Sequence, residues 1–266
     1  VDLAAWIAGH RVAVLTGAGV STDSGIPDYR GPTTRERTRS PIQHADFVRS
    51  AATRRRYWAR SLVGWPRIRG ALPNASHHAL RRLEAAGVAI GLITQNVDRL
   101  HRKAGHKRVV ELHGALADVV CLDCGAREDR DALQDRLVAA NPDVSLVDAA
   151  AAPDGDAEIA DAAGFAVPGC AACGGTLKPD VVFFGGSVPR ERVDAARATV
   201  ERADALLVAG TSLTVFSGFR FVRHAAERGL AIAIVNLGAT RGDPLASLRI
   251  DAPLAEVLPA LADAIT

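Results

Sequence analysis

The chain has 266 residues, 48% hydrophobic and 23% charged, which is enough apolar material for a sizeable core. A formal charge of +2 is too small to indicate nucleic acid, and no apolar run is long enough to span a bilayer. All four cysteines fall in two Cys-x-x-Cys pairs, which suits a reduced compartment and a metal better than disulfides. No signal-peptide pattern is visible, so a cytoplasmic location is expected, or the mitochondrial matrix for a eukaryotic source.

Residues 2–9 read as a short amphipathic helix leading into Val12-Ala13-Val14-Leu15, a buried strand. The strand empties into Gly17-Ala18-Gly19, the kind of turn that brings phosphate oxygens to backbone N–H groups at the start of a helix. Thr22 stands where a third glycine would complete the usual fingerprint, so this pattern alone equally describes an ordinary glycine turn. Residues 31–41 are polar, arginine-rich and closed by proline, and are expected to form a mobile loop. Helical periodicity over 46–65 gives Phe47, Tyr57, Trp58, Leu62 and Trp65 one face, which suits core packing.

Asn74 or Ser76 caps a helix running to Ala86, and residues 88–93 form the next strand. Thr94-Gln95-Asn96-Val97-Asp98 follows at its carboxyl end, where Asn96 or Asp98 would also serve as the cap of a helix toward Lys103. A strand over 109–112 leads to His113-Gly114. Helices are expected over 190–203 and 216–228, and strands over 205–209 and 231–235. The last helix carries an apolar stripe of Leu254, Val257, Leu258, Leu261 and Ile265 despite Pro259. Short continuous apolar strands between helices imply an α/β fold, a Rossmann-like doubly wound parallel sheet covered on both faces.

Residues 115–177 differ in kind. They hold every cysteine and an Ala/Asp-rich stretch at 147–163. Cys121 and Cys124 with Cys170 and Cys173 would complete a tetrahedral zinc site that leaves no open position, hence a structural Zn2+. The interval between the pairs exceeds that of a usual zinc ribbon, and a redox dithiol is the competing reading. The expected division places 1–38, 73–114 and 178–266 in the Rossmann-like part, and 39–72 with 115–177 in a small inserted helical and zinc-binding module.

The stretch from Gly17 to Arg30, Gly-Ala-Gly-x-Ser-x-x-Ser-Gly-Ile-Pro-Asp-Tyr-Arg, resembles the signature of the sirtuins, NAD-dependent protein-lysine deacylases. Tyr29 replaces the Phe of many members. Thr-Gln-Asn-x-Asp at 94–98, His113-Gly114, Gly210-Thr211-Ser212, Asn236-Leu237-Gly238 and Lys178 through Gly185 are similar to further sirtuin motifs. The resemblance implies that NAD is consumed as a co-substrate. It implies NAD contacts for Gly17, Ala18, Gly19, Thr22, Asp28, Tyr29, Arg30, Gln95, Asn96, Val97, Asp98, Gly210, Thr211, Ser212, Asn236, Leu237, Gly238 and Leu254. It makes His113 the general base, sets Asn96 on the nicotinamide ribose or a catalytic water and Asp98 on the nicotinamide carboxamide, and places acyl-lysine peptide against Val182, Phe183, Phe184 and Gly185 as an added strand.

Residues 41–50, Arg56-Tyr57-Trp58-Ala59-Arg60 and Leu122-Asp123-Cys124-Gly125 resemble the class II branch, which includes the mitochondrial sirtuin 4 type and its bacterial relatives. In that branch the segment matching 147–163 is a loop reaching toward the acyl pocket, and bulky or branched acidic acyl groups are favoured. Tyr57 and Arg60, three apart on a helix, resemble the pair by which desuccinylating sirtuins hold an acyl carboxylate. The alternative is that Tyr57 packs and Arg60 is solvated. Expected partners are acyl-lysine proteins, with no membrane or nucleic acid and a monomeric chain. Rival readings are a mono-ADP-ribosyltransferase using the same site, a zinc-containing NAD dehydrogenase, and a binding module without catalysis.

Overall fold

The computed structural model describes residues 2–28, 41–144 and 164–266. The first part of the chain forms α1 (Leu3–Ile7), β1 (Val12–Thr16), α2 (His44–Arg49), α3 (Ala51–Gly70), α4 (Ala75–Ala85) and β2 (Ala89–Thr94). Then come α5 (Leu100–Lys103), β3 (Val109–Glu111), β4 (Gly114–Cys121), β5 (Arg127–Asp129), α6 (Arg130–Ala140) and β6 (Leu177–Val181). The chain closes with α7 (Arg190–Glu201), β7 (Ala205–Ala209), α8 (Phe216–Glu227), β8 (Ala231–Val235), β9 (Leu248–Ile250) and α9 (Leu254–Ile265).

Six strands pair in the order β3-β2-β1-β7-β8-β9, all parallel. Every residue of β1 is buried, as a strand with neighbours on both edges and layers on both faces requires. Its side chains alternate between the two layers. Val12 and Val14 pack with Leu3, Leu80, Leu83 and Leu258 from α1, α4 and α9. Ala13 and Leu15 pack with Val200, Phe221 and Val222 from α7 and α8. The strand order reverses between β1 and β7, so a crevice opens at their carboxyl ends, where open α/β sheets bind ligands.

A second sheet, β5-β4-β6, is antiparallel and packs with α3 and α6 around an aromatic core of Phe47, Tyr57, Trp58, Trp65 and Phe183. Within it Arg130 is buried between the rings of Trp58 and Trp65, at 5.5 and 5.4 Å from their centroids. Its Nη2 donates to Ser61 O at 3.1 Å and Ser61 Oγ at 3.2 Å. Desolvation pulls this guanidinium down to about 10.

Three details depart from the sequence reading. The expected helix over 46–65 is two helices, because Ser50 leaves the helical region and caps α3 by accepting from Thr53 N at 3.1 Å. Strand β9 is an addition to that reading, since Leu-Arg-Ile has no periodicity to read at three residues. The cysteine-bearing segment contains the regular elements β4, β5 and α6, although its sequence shows little apolar pattern. The loop expected at 31–41, except Pro41, and the Ala/Asp-rich stretch 147–163 lie outside the described residues.

Beneath the crevice His77, His101 and His106 are buried together, with ring centroids 4.8 and 5.1 Å apart along the series His77, His101, His106. His101 Nε2 meets Thr16 Oγ1 at 3.0 Å, and His106 Nε2 donates to His77 O at 3.2 Å. His106 Nδ1 also lies 3.3 Å from Glu84 Oε2. Burial lowers the pKa of all three rings, that of His77 to about 3. As pH falls below 6.5 the unfolded chain takes up protons that the folded chain refuses, so this stability is complete above that value and is lost progressively toward pH 3. Each such proton contributes a slope of about 1.4 kcal/mol per pH unit. Urea unfolding between pH 7 and 4 should therefore show falling stability, and His77→Asn should flatten the slope; an unchanged slope would remove this imidazole from that role.

Candidate active site

Two loops meet at the crevice. The chain leaves β1 through Gly17 and Gly19, and leaves β7 through Gly210 and Thr211. Gly19 N donates to Gly210 O at 2.9 Å, and a Cβ on Gly19 would stand 2.9 Å from that oxygen, so a side chain there would push the loops apart. The first loop does not open into the α-helix expected after a Gly-x-Gly turn. Ala18–Val20 and Thr22–Ser24 are successive 3-10 turns, which leaves no long helix N-terminus aimed at a phosphate. The Thr22 hydroxyl closes the first turn by donating to Gly19 O at 3.1 Å.

Across the crevice lies the end of β2. The Asp98 carboxylate is buried and accepts from Ser21 Oγ at 2.7 Å and from Leu100 N at 2.9 Å. Asn96 Nδ2 donates to the same Ser21 hydroxyl at 3.0 Å. Desolvation raises the pKa of Asp98, against the pull of its Leu100 and Ser21 hydrogen bonds. Asp98 therefore holds the amide at the start of α5 and also presents a carboxylate to the crevice. Ser21, which joins Asn96 to Asp98, lies within the glycine-rich stretch but carries no role in the sequence reading.

His113 stands at the junction of β3 and β4. Its Nδ1 is 2.9 Å from Gln95 O, a carbonyl that can only accept, so Nδ1 carries the proton and Nε2 the lone pair. That lone pair faces the Ser217 hydroxyl at 2.7 Å. Desolvation lowers the pKa of His113, the Gln95 hydrogen bond opposes this, and the Arg192 and Arg220 charges add to the lowering. Nothing in the sequence singles out Ser217, because a serine near a helix start reads as a cap.

These groups line one cavity of about 670 Å3. Its wall takes in Gly17, Ala18, Gly19 and Asp28 from the first loop, Gln95 to Asp98, His113, and Gly210, Thr211 and Ser212. Asn236 and Leu237 after β8 also line it, as do Val182, Phe183, Phe184 and Gly185 together with Tyr57. Residues 182–185 lie just beyond β6, which is an edge strand, and Val182 N donates to His113 O at 2.9 Å. Four expected site residues do not line the cavity. Thr22 is turned into its own loop, Gly238 N is bound to Asp251 Oδ1 at 3.0 Å, and Leu254 packs in the core behind Gly210. The fourth is Arg60, one helical turn beyond Tyr57. Tyr29 and Arg30 lie outside the described residues.

The cysteines form a separate centre. All four sulfurs lie within 4.8 Å of one another, with Cys121 to Cys173 at 3.6 Å and Cys124 to Cys170 at 3.8 Å. A tetrahedron of Zn–S bonds near 2.3 Å has edges of about 3.8 Å, so the donor set fits zinc. Four thiolates saturate such an ion, which would tie the β4–β5 turn to the segment before β6 without an open catalytic position.

A parallel doubly wound sheet with a polar crevice at its switch point, beside a closed four-cysteine centre, defines a Rossmann-like, zinc-centre-bearing α/β protein. The chain belongs to the Sir2 family, whose model matches residues 17–217. It is 54% identical to NAD-dependent protein deacetylase 1 of Mycobacterium avium (strain 104), over 98% of this chain and 94% of that relative. It is 50% identical to the Bos taurus mitochondrial NAD-dependent protein lipoamidase sirtuin-4, over 94% of this chain and 81% of that protein. Among solved structures, a Sir2 homolog–NAD complex superposes with a TM-score of 0.77 at 31% identity, covering 99% of this chain and 92% of that one. A Sir2–p53 peptide–NAD+ complex gives 0.78 at 29% identity, covering 98% and 96%.

Metal analysis of the purified protein should find one zinc per chain. Cys121→Ser should lower thermal stability and activity together, since loss of a ligand loosens the small sheet rather than removing a reacting group. Active protein free of zinc would refute a structural metal.

Proposed function

We propose that this chain is an NAD-dependent protein-lysine deacylase that releases nicotinamide and transfers the acyl group to ADP-ribose as 2′-O-acyl-ADP-ribose. The observation that carries the reading is His113, whose tautomer is set by Gln95 O so that Nε2 is a proton acceptor on the wall of a cavity that also holds Asn96 and Asp98. The names of its relatives, deacetylases and a lipoamidase, support it.

In this reading NAD lies along the two glycine loops, with its adenosine end toward Asn236 and its nicotinamide end toward Asn96 and Asp98. The acyl-lysine enters past Val182 to Gly185. The acyl oxygen displaces nicotinamide from the ribose, and His113 then serves as base for the ribose hydroxyl that attacks the acyl carbon. Water completes the release of product. Tyr29 and Arg30 are retained as NAD contacts. The proposed division leaves 1–38, 73–114 and 178–266 as the NAD-binding part, and 39–72 with 115–177 as the zinc-bearing module. No helix among the described residues is long and apolar enough to cross a membrane. We take the protein to act as a cytoplasmic monomer on acyl-lysine proteins.

Incubation with NAD and acyl-lysine peptides, following nicotinamide and acyl product together, tests the reading. His113→Ala should keep NAD binding and lose acyl transfer by at least about a hundredfold. ADP-ribose appearing on protein without acyl loss would instead favour a mono-ADP-ribosyltransferase. Asp98→Asn should chiefly impair nicotinamide release. Because the His113 pKa is lowered, the acid limb of acyl transfer should fall below pH 6.5. An acid limb above that value would contradict the assignment.

Among the described residues, Tyr57 shares the cavity wall with Ile26, Ile42, Ile68, Leu116 and Phe183, which pack with it in one apolar cluster, and Arg60 is absent from that wall. Arg60→Ala should therefore change the removal of acidic acyl groups and of acetyl by similar factors. A loss of about tenfold confined to acidic acyl groups, the scale of one charged hydrogen bond, would restore Arg60 as their partner.

A further inference from the structure

The acceptor nitrogen of His113 is already occupied. Ser217 Oγ stands 2.7 Å from Nε2, and since Nδ1 holds the ring proton, the serine hydroxyl donates to the Nε2 lone pair. A ribose hydroxyl cannot share that in-plane lone pair. It must either displace the serine or pass its proton through it. Ser217 Oγ lines the same cavity as His113 and keeps lone pairs free to accept a further hydrogen bond.

The position of Ser217 is fixed by the fold. It lies in the first turn of α8, and its neighbour Gly218 packs so tightly on Gln95 that any Cβ there would overlap the Gln95 side-chain amide. Gln95 in turn spans the crevice, with Nε2 donating to Thr16 O at 3.3 Å and Thr211 Oγ1 at 3.1 Å. One residue thus sets the tautomer of His113 through its carbonyl and the seat of the α8 start through its side chain. The backbone that carries Ser217 is fixed by a helix start packed on the core through Phe219, Phe221 and Val222, so the hydroxyl stays within reach of Nε2 and leaves it only by turning about its own Cα–Cβ bond.

We propose that Ser217 is a proton relay between the ribose hydroxyl and His113, an inference that rests on the deacylase reading. The ribose O–H bond breaks as its oxygen attacks the acyl carbon. Its proton passes to Ser217 Oγ while the serine proton passes to Nε2. Serine emerges unchanged, His113 becomes an imidazolium, and no further reactant is needed. Arg192 and Arg220, which disfavour that imidazolium, would speed return of the proton after the transfer.

The test uses the full-length protein with NAD, acyl-lysine peptide and isotopically labelled nicotinamide. Nicotinamide exchange reports the step before His113 acts, and acyl product reports the step after. For Ser217→Ala the ratio of acyl transfer to exchange should fall about tenfold or more, within the range of positioned proton transfer, and Ser217→Thr should recover most of it. In the ligand-free protein, the His113 Nε2 resonance should move in Ser217→Ala to that of an acceptor without a donor. Acyl transfer equal to or faster than wild type in Ser217→Ala would make the serine a competitor and overturn the relay. So would equal losses in exchange and transfer, which mark a purely structural residue. If the wild-type protein itself released no nicotinamide with any acyl-lysine peptide, the deacylase reading would fall and the relay with it; wild-type turnover with an unaffected alanine variant overturns the relay alone.

Discussion

Gln95 is the residue on which the crevice depends. Its backbone N–H donates to Thr16 O at 3.0 Å at the end of β1, and its side chain adds a second bond to that oxygen and one to Thr211 beyond β7. Its carbonyl orients His113 beyond β3. Three strand ends that diverge with the twist of the sheet are thereby joined through the side chain and backbone of one residue. A parallel sheet leaves the amides and carbonyls at its carboxyl edge without strand partners, and here those groups are used to place polar side chains rather than left to solvent. The geometry of the site is thus inherited from the sheet.

The second sheet supplies the other wall of the cavity, and different forces hold it. It is small, so its aromatic core gains from Arg130 lying between two indoles, where stacking offsets part of the desolvation of a buried guanidinium. Asp180 accepts from Arg127 of the same sheet at 2.6 Å and from Arg192 of α7, a helix packed on the larger sheet, at 2.8 Å. The four-cysteine centre closes the small sheet's far end. Val182 to Gly185 follow β6 directly and line the cavity.

Much of the fold is legible in the chain because local rules suffice. Continuous apolar runs at β1, β2, β7 and β8 require strands buried on both faces. Glycine and asparagine mark the turns, and two paired cysteine motifs declare the metal centre. The motifs at 17–30, 94–98 and 113 point to one site, and Gly17, Ala18, Gly19, Ser21 and residues 26–28 share one cavity with residues 95–98 and His113.

Local sequence dictates the elements and the residue types that chemistry needs at their ends. Which of those residues share a space is settled by packing alone. Strand order brings Ser217 to His113 across 104 positions, and no periodicity encodes that meeting. Leu254, an expected NAD contact, packs behind Gly210, and Arg60 follows Tyr57 by one turn without reaching the described wall of the cavity. The split at Ser50 likewise depends on whether its hydroxyl caps a helix or points outward from one. One cause underlies each case. A side chain's period fixes the face it occupies, while its partner is set by how sheets and helices pack, a property of contacts distant in sequence.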